Sequence, residues 1–278
     1  MFTPFKGGKV DLDAMAKLTR RQVEAGIDFL VPLGTTGETP TLSAREKQDV
    51  FAVVKENAGS LPVVVGVGTN SVDGTFGNID LLPDADAYLV VAPYYNKPPQ
   101  RGLYAYFKAV AEHTPKPIIL YNVPGRTGCN IAAETTLALA RDIPNIIAVK
   151  EASGNMDQCK AILVDSPAGF ALLSGNDDDT LTLMRGGAAG VISVASNVCP
   201  ALMTDFTHAA LEGRWADAEA LDKRLHALFK NLFIEPNPIP GKAAMAQLGL
   251  MENSLRLPLV PALPETETII AQTLEELK

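Results

Sequence analysis

The chain has 278 residues, 47% of them hydrophobic and 20% charged, with a formal net charge of -8. That length can bury one large core or two small ones, and the acidic balance argues against nucleic acid or an anionic membrane surface as the main partner, since either calls for a basic patch. No leader of basic, apolar and small residues opens the sequence and no apolar run approaches the ~18 residues of a membrane helix, so the expected location is cytosolic.

Apolar, β-branched runs recur along the chain: "MFTPF" at 1, "IDFLVPLG" at 27, "PVVVGVG" at 62, "DAYLVVAP" at 86, "PIILYNVP" at 117, "NIIAVKE" at 145, "FALLSGN" at 170 and "GVISV" at 190. Segments of helical spacing separate them. Leu12, Met15, Leu18 and Val23 mark the first; Val50, Val53 and Val54 mark the second, which Ser43 and Glu46 introduce as a capping box. Unbroken apolar runs alternating with amphipathic helices predict parallel strands covered on both faces, an α/β fold. Eight runs suit a (β/α)8 TIM barrel over residues 1–213. Additional C-terminal helices are predicted over 214–278, with Leu221, Leu225, Leu228 and Leu232 on one face. An open doubly wound sheet is the alternative, but neither a G-x-G-x-x-G after the first strand nor a Walker pattern supplies its phosphate cradle.

Cys129, Cys159 and Cys199 lie far apart without a CxxC pair, and His113, His208 and His226 are equally scattered in helical segments. Neither a disulfide framework nor a metal site is expected, and no organic cofactor. The acidic run Asp177–Asp179 reads as the opening of a helix, where carboxylates favour the positive end of the dipole, rather than as a cation shell.

In a barrel of this class, functional groups collect in the loops after the strands. Those loops carry Thr35 and Thr36 in "GTTGE", Tyr94 and Tyr95 in "PYYN", and Tyr121 and Arg126 in "YNVPGRTG"; the sixth strand ends in Lys150 and the seventh in "SGND". A strand-end lysine can simply snorkel to water. Walled by apolar side chains it has a second use, because desolvation disfavours the ammonium and frees the amine as a nucleophile toward a ketone. Tyrosine and threonine hydroxyls can relay protons to the imine, a glycine-rich turn can hold a carboxylate, and an arginine can clamp a second one. Each also has a plainer reading: the glycines as a tight turn, the tyrosines as packing or interface aromatics, the arginine as a surface ion pair.

The motifs "GTTGE", "PYYN", "YNVPGRTG", "VKEASGN", "LLSGND", "GVISVASN" and "NPIPGK", in this order over nearly the whole chain, resemble the dihydrodipicolinate synthase family. The resemblance implies a barrel enzyme, usually a homotetramer built as a dimer of dimers, that condenses pyruvate with aspartate semialdehyde on the route to lysine. By matching motif, Lys150 would form the Schiff base, Tyr121 would donate and accept the proton beside it, and Thr35 and Tyr95 would complete the relay, with Tyr95 reaching into a neighbouring subunit. Thr36 would hold the pyruvate carboxylate with Gly175 and Ile192 lining its site, Arg126 would bind the semialdehyde carboxylate, and Tyr94 would lie at the dimer interface. Sister aldolases such as N-acetylneuraminate lyase share the lysine, and a non-catalytic metabolite-binding barrel is a third possibility; Arg126 and the two threonines favour the synthase.

Two departures from the family pattern stand out. Met1 stands almost directly before "TPF", so a shortened first strand, with lost ladder bonds and reduced stability or altered assembly, is expected. Where lysine-inhibited members have histidines after the "GE" turn and an acidic residue four places beyond the asparagine matching Asn70, this chain has Ala44, Lys47 and Gly74. An effector ammonium would therefore meet one added positive charge and lack one negative charge. For an enzyme of this family the expectation is weak or no inhibition by lysine, and strong inhibition at sub-millimolar lysine in a titration would contradict this.

Overall fold

The structure, a computed structural model, describes residues 1–277. It divides into two compact units, Met1–Val63 with Ser193–Lys278, and Val64–Ile192. In chain order the first unit begins with β1 (Phe5–Lys6), β2 (Lys9–Val10), α1 (Leu12–Glu24) and α2 (Ala44–Asn57). The second unit holds β3 (Val64–Gly66), α3 (Val72–Leu81), β4 (Ala87–Val91), α4 (Gln100–His113), β5 (Ile118–Asn122), α5 (Pro124–Thr127), α6 (Ala133–Asp142), β6 (Ile146–Glu151), α7 (Met156–Asp165), β7 (Ala171–Ser174), α8 (Thr180–Arg185) and β8 (Gly190–Val191). The chain then returns to the first unit with α9 (Pro200–Leu211), α10 (Trp215–Asn231), α11 (Ile239–Gln247) and α12 (Pro264–Glu276).

The second unit is a parallel sheet in the order β3-β4-β5-β6-β7-β8 with a helix after nearly every strand, as the alternation of apolar runs and amphipathic segments predicts. All of β5 is buried. Strand β6 is not uniformly so: Ile147 is 40% exposed. The cause is a register shift. Ile118 pairs with Ile146, but Ile119 pairs with Ala148, so Ile147 is the extra residue of a bulge. Beyond it Tyr121 faces Lys150 and Asn122 faces Glu151. Without the bulge Tyr121 would meet Val149, because a one-residue slip sends every side chain to the other face.

The first two expected barrel strands are not regular strands. Phe5–Lys6 instead pairs antiparallel with Lys9–Val10, across Gly7 and Gly8 at φ 56 and 77. Two successive positive-φ residues make the tight hairpin turn that matches strand twist, so the last residue of "MFTPF" enters a hairpin rather than a parallel ladder. The segment before it is hydrogen-bonded without being a strand: the Met1 amine donates to the Val31 carbonyl at 2.7 Å, Phe2 N to Asn197 Oδ1 at 3.2 Å and Thr3 Oγ1 to the Gly37 carbonyl at 2.7 Å. The region expected to lose ladder bonds thus has others. The Phe2 ring lies against α11 at Gly241, where any Cβ would collide with it. The run from 27 reduces to a single parallel bridge, Leu30 to Val63.

The capping box forms as predicted, with Ser43 and Glu46 bonding each other's backbone N–H at the start of α2. Glu46 also serves a second partner. Its carboxylate accepts from Arg256 Nη1 at 2.9 Å and Nη2 at 2.5 Å, a bidentate clamp. Arg256 extends to the Thr41 and Gly8 carbonyls, and its guanidinium lies 4.5 Å from the centroid of the Phe5 ring. On the same ring, at 4.1 Å, sits the ammonium of Lys242, whose side chain is wholly buried and ion-paired with the equally buried Glu38. Lys242 Nζ also donates to the Ser254 carbonyl at 2.9 Å, and Glu38 Oε2 accepts from Arg256 N at 3.1 Å. The first unit is therefore tied, from the turn after residue 34 to the segment beyond α11, by two cations on one phenyl ring and two carboxylates.

Burial pushes the Lys242 ammonium below its ordinary pKa against the raising influence of Glu38, whereas the hydrogen bonds from Arg256 hold Glu46 down at about 2. Removing one member of a buried pair strands the other, so Lys242→Met is expected to lower the unfolding free energy by about 3–5 kcal/mol, and Glu38→Gln added to it to restore part of that loss. For Glu46 the depressed native pKa means that its stabilisation is complete above about pH 4.5 and is lost as pH falls through about 2. Denaturant unfolding of Glu46→Gln should show a deficit of about 2 kcal/mol at neutral pH that closes as the acid limit is approached.

Candidate active site

The geometry that the bulge creates is the centre of the site in the second unit. With Tyr121 opposite Lys150, the lysine Nζ lies 4.4 Å from the tyrosine ring centroid. Tyr121 is buried at 7% exposure and Lys150 is half-buried. Among the described residues neither the Lys150 ammonium nor the Tyr121 hydroxyl has a hydrogen-bond partner.

The ladder continues one residue past the strand ends. Ala152 N donates to the Asn122 carbonyl at 2.9 Å, Gly175 N to the Glu151 carbonyl at 2.7 Å and Ile192 N to the Ser174 carbonyl at 2.9 Å. These bonds fix Gly175 and Ile192, expected to line the pyruvate site, on the rim that carries Lys150. Gly175 must be glycine because a Cβ there would press on the Glu151 carbonyl at 3.0 Å and on Ala152. Arg126 stands on α5, which leaves β5 directly after Val123 and ends at Gly128 with φ 72; the arginine is exposed. Tyr94 and Tyr95 follow β4 and are exposed by 39% and 88%. Tyr95 adopts φ 75, an uncommon conformation for a bulky residue, and its N–H donates to the Thr127 carbonyl at 3.2 Å.

Thr35 and Thr36 belong to the first unit, in a 3-10 turn spanning Thr35–Gly37. Leu33 at φ 56 and Glu38 at φ 51 bracket the turn, two left-handed non-glycine residues that need outside support. Support comes from the Glu38–Lys242 ion pair and from Thr39 Oγ1, which bonds the Gly34 carbonyl at 2.9 Å. Asn237 Nδ2 donates to Thr36 Oγ1 at 3.0 Å, a contact spanning 201 residues of sequence that no local pattern announces.

Asp177–Asp179 opens the helical segment after β7, as its acidic composition predicts: it leads directly into α8, whose N-cap is Asp179. The three residues form a 3-10 turn, Asp177 is buried, and Asp179 Oδ2 accepts from Asn176 Nδ2 at 2.8 Å. Among the described residues no group of three His, Cys, Asp or Glu is placed to hold a metal ion, and no helix is long and apolar enough to cross a membrane. The glycine at 74 has a local reason: a Cβ there would crowd Ser71 Oγ, the N-cap of α3, and Thr69 Oγ1. Sequence reading also passed over Asn122 and Glu151, the buried polar pair that follows Tyr121 and Lys150 by one residue each.

Comparison with known proteins gives the family and the fold class. The chain is 47% identical to the 4-hydroxy-tetrahydrodipicolinate synthase of Phocaeicola vulgatus and 46% identical to that of Thermosipho melanesiensis, covering all of itself and 95% and 96% of those proteins. The crystal structure of the dihydrodipicolinate synthase of Thermotoga maritima superposes with a TM-score of 0.98 at 41% identity, over 100% of this chain and 96% of that one. A monomeric dihydrodipicolinate synthase variant gives the same TM-score and identity over 100% and 94%. These likenesses establish the (β/α)8 class with C-terminal helices. Since the dihydrodipicolinate synthetase family matches residues 1–277, which include every strand-end motif described above, the chain belongs to that family.

Proposed function

We propose that the protein is a Schiff-base lyase that condenses pyruvate with L-aspartate 4-semialdehyde, the 4-hydroxy-tetrahydrodipicolinate synthase reaction of lysine and diaminopimelate biosynthesis. The observation that carries this reading is the pairing of Lys150 with Tyr121 in a chain that matches, over all of itself, relatives bearing that name. In this reading the Lys150 amine attacks C2 of pyruvate and water leaves, giving an imine. The imine acts as an electron sink: the methyl carbon loses a proton to become an enamine, which adds to the aldehyde carbon. The amino group of the semialdehyde then attacks C2, closes the ring and releases Lys150.

Tyr121 is the donor and acceptor of the protons that these steps move, with Thr35 and Tyr95 as relay. Thr36 and the N–H groups of its turn are assigned the pyruvate carboxylate, and Gly175 and Ile192 the lining of the pyruvate site. Arg126 clamps the semialdehyde carboxylate. Its exposure on α5 suits a residue that meets the second substrate from solvent. No metal or organic cofactor takes part, because the lysine itself supplies the electron sink. The exposure of Tyr95 supports a partner subunit that covers it, in a homodimer or a tetramer of two such dimers. The protein is read as cytoplasmic.

Borohydride reduction in the presence of pyruvate should add the reduced pyruvyl group at Lys150, located by peptide mass analysis; an unmodified Lys150 would overturn the reading. Lys150→Ala should be inactive with both substrates. Tyr121→Phe should lower kcat by about 100-fold or more, as loss of a general acid–base does. Arg126→Ala should raise KM for the semialdehyde while leaving pyruvate trapping intact, and equal activity on the semialdehyde would favour a sister aldolase.

A further inference from the structure

Glu151 is 2% exposed and among the described residues pairs with no cation. Burying a carboxylate without a countercharge is costly unless hydrogen bonds satisfy it. Here neutral donors do so. Asn122 Nδ2 reaches both carboxylate oxygens, at 3.0 and 3.1 Å, Gln158 Nε2 reaches Oε2 at 2.9 Å and the Ser153 N–H reaches Oε1 at 2.9 Å.

Asn122, wholly buried, cannot turn its amide over, because its Oδ1 accepts from Ile131 N at 2.9 Å while its Nδ2 also donates to Asn130 Oδ1 at 2.7 Å. Asn130 Nδ2 in turn donates to Gln158 Oε1 at 2.8 Å. The four side chains close a ring with converging donors, which only an acceptor can complete. A carboxylate is all acceptor; a glutamine in its place would turn an NH2 toward donors that are already fixed.

The location of the ring gives it a use beyond stability. Asn122 and Glu151 are the register pair next to Tyr121 and Lys150, and alternation along a strand sends the two pairs to opposite faces of the sheet. The ring therefore grips β5 and β6 from behind at their last residues, and through Asn130 and Gln158 it anchors the segment after α5 and the first turn of α7. We propose that Asn122 and Glu151 are positioning residues for the Schiff-base chemistry, holding the ends of β5 and β6 so that Lys150 meets pyruvate beside Tyr121. This rests on the function proposed above. A purely structural role would be met as well by apolar side chains at the same two positions.

The test is Glu151→Gln in the full-length protein, read by the rate of borohydride trapping of pyruvate and by steady-state kinetics. A misplacement on the order of 1 Å can reduce rates about 100-fold, so the maximal trapping rate and kcat are expected to fall by about 10- to 100-fold, while the pyruvate concentration for half-maximal trapping stays within about threefold. A folded Glu151→Gln protein that traps pyruvate at the wild-type rate, with only its melting temperature lowered, would overturn the inference, as would a change confined to KM. Should Glu151→Gln fail to fold, Gln158→Leu removes one donor and keeps the carboxylate; a trapping rate lowered several-fold supports the proposal and an unchanged rate sinks it. Wild-type protein that pyruvate and borohydride never label would remove the Schiff-base reading and this inference together, whereas normal labelling of both wild type and variant removes this inference alone.

Discussion

One extra residue in β6 governs the chemistry of the second unit. The bulge at Ile147 advances the pairing of β5 with β6 by one position, and only in the advanced register does an amine stand opposite a phenol. Parallel ladders admit such shifts rarely, and bulges concentrate where a side chain has to be re-aimed. The cost is visible in Ile147, an apolar residue left 40% exposed in an otherwise apolar run. The result is a lysine and a tyrosine side by side on one face, with an asparagine and a glutamate side by side on the other.

The two units handle buried charge in different ways. In the first, Glu38 is neutralised by Lys242, and the same phenyl ring is covered by Lys242 on one contact and Arg256 on another. The pair spans a long sequence separation and fixes a turn whose flanking residues sit at positive φ, so its electrostatics act as a clamp on backbone strain. In the second, Glu151 is held only by amides. A strong cation behind the strand would compete for the role of local positive charge with the iminium formed at Lys150 in the proposed reaction, whereas neutral donors satisfy the carboxylate without adding one.

Strained backbone follows the same distribution. Among the described residues the positive-φ residues other than glycine are Leu33, Glu38, Tyr95 and Lys97, two around the threonine turn and two after β4. Both segments carry residues to which the proposed reaction assigns a part. The hydrogen bond Thr39 to Gly34 is local, whereas the bond from Tyr95 to Thr127 and the ion pair of Glu38 with Lys242 come from residues far along the chain.

The sequence by itself determined the alternation of strands and helices from β3 to β8, the capping box at α2, and the identity of the strand-end polar residues, because apolar periodicity, cap chemistry and loop composition are local properties. It did not show that the first two runs form no regular ladder strand, where Phe5 enters the hairpin at Gly7 and Gly8 and "IDFLVPLG" leaves one bridge, but it did place the acidic run at 177 at the opening of a helical segment. Register, the pairing of Glu38 with Lys242, the bond from Asn237 to Thr36 and the ring around Glu151 were decided by tertiary structure alone. Each joins residues whose separation in sequence carries no signal, and a one-residue bulge changes which face a side chain takes without changing the hydrophobic pattern that announces the strand.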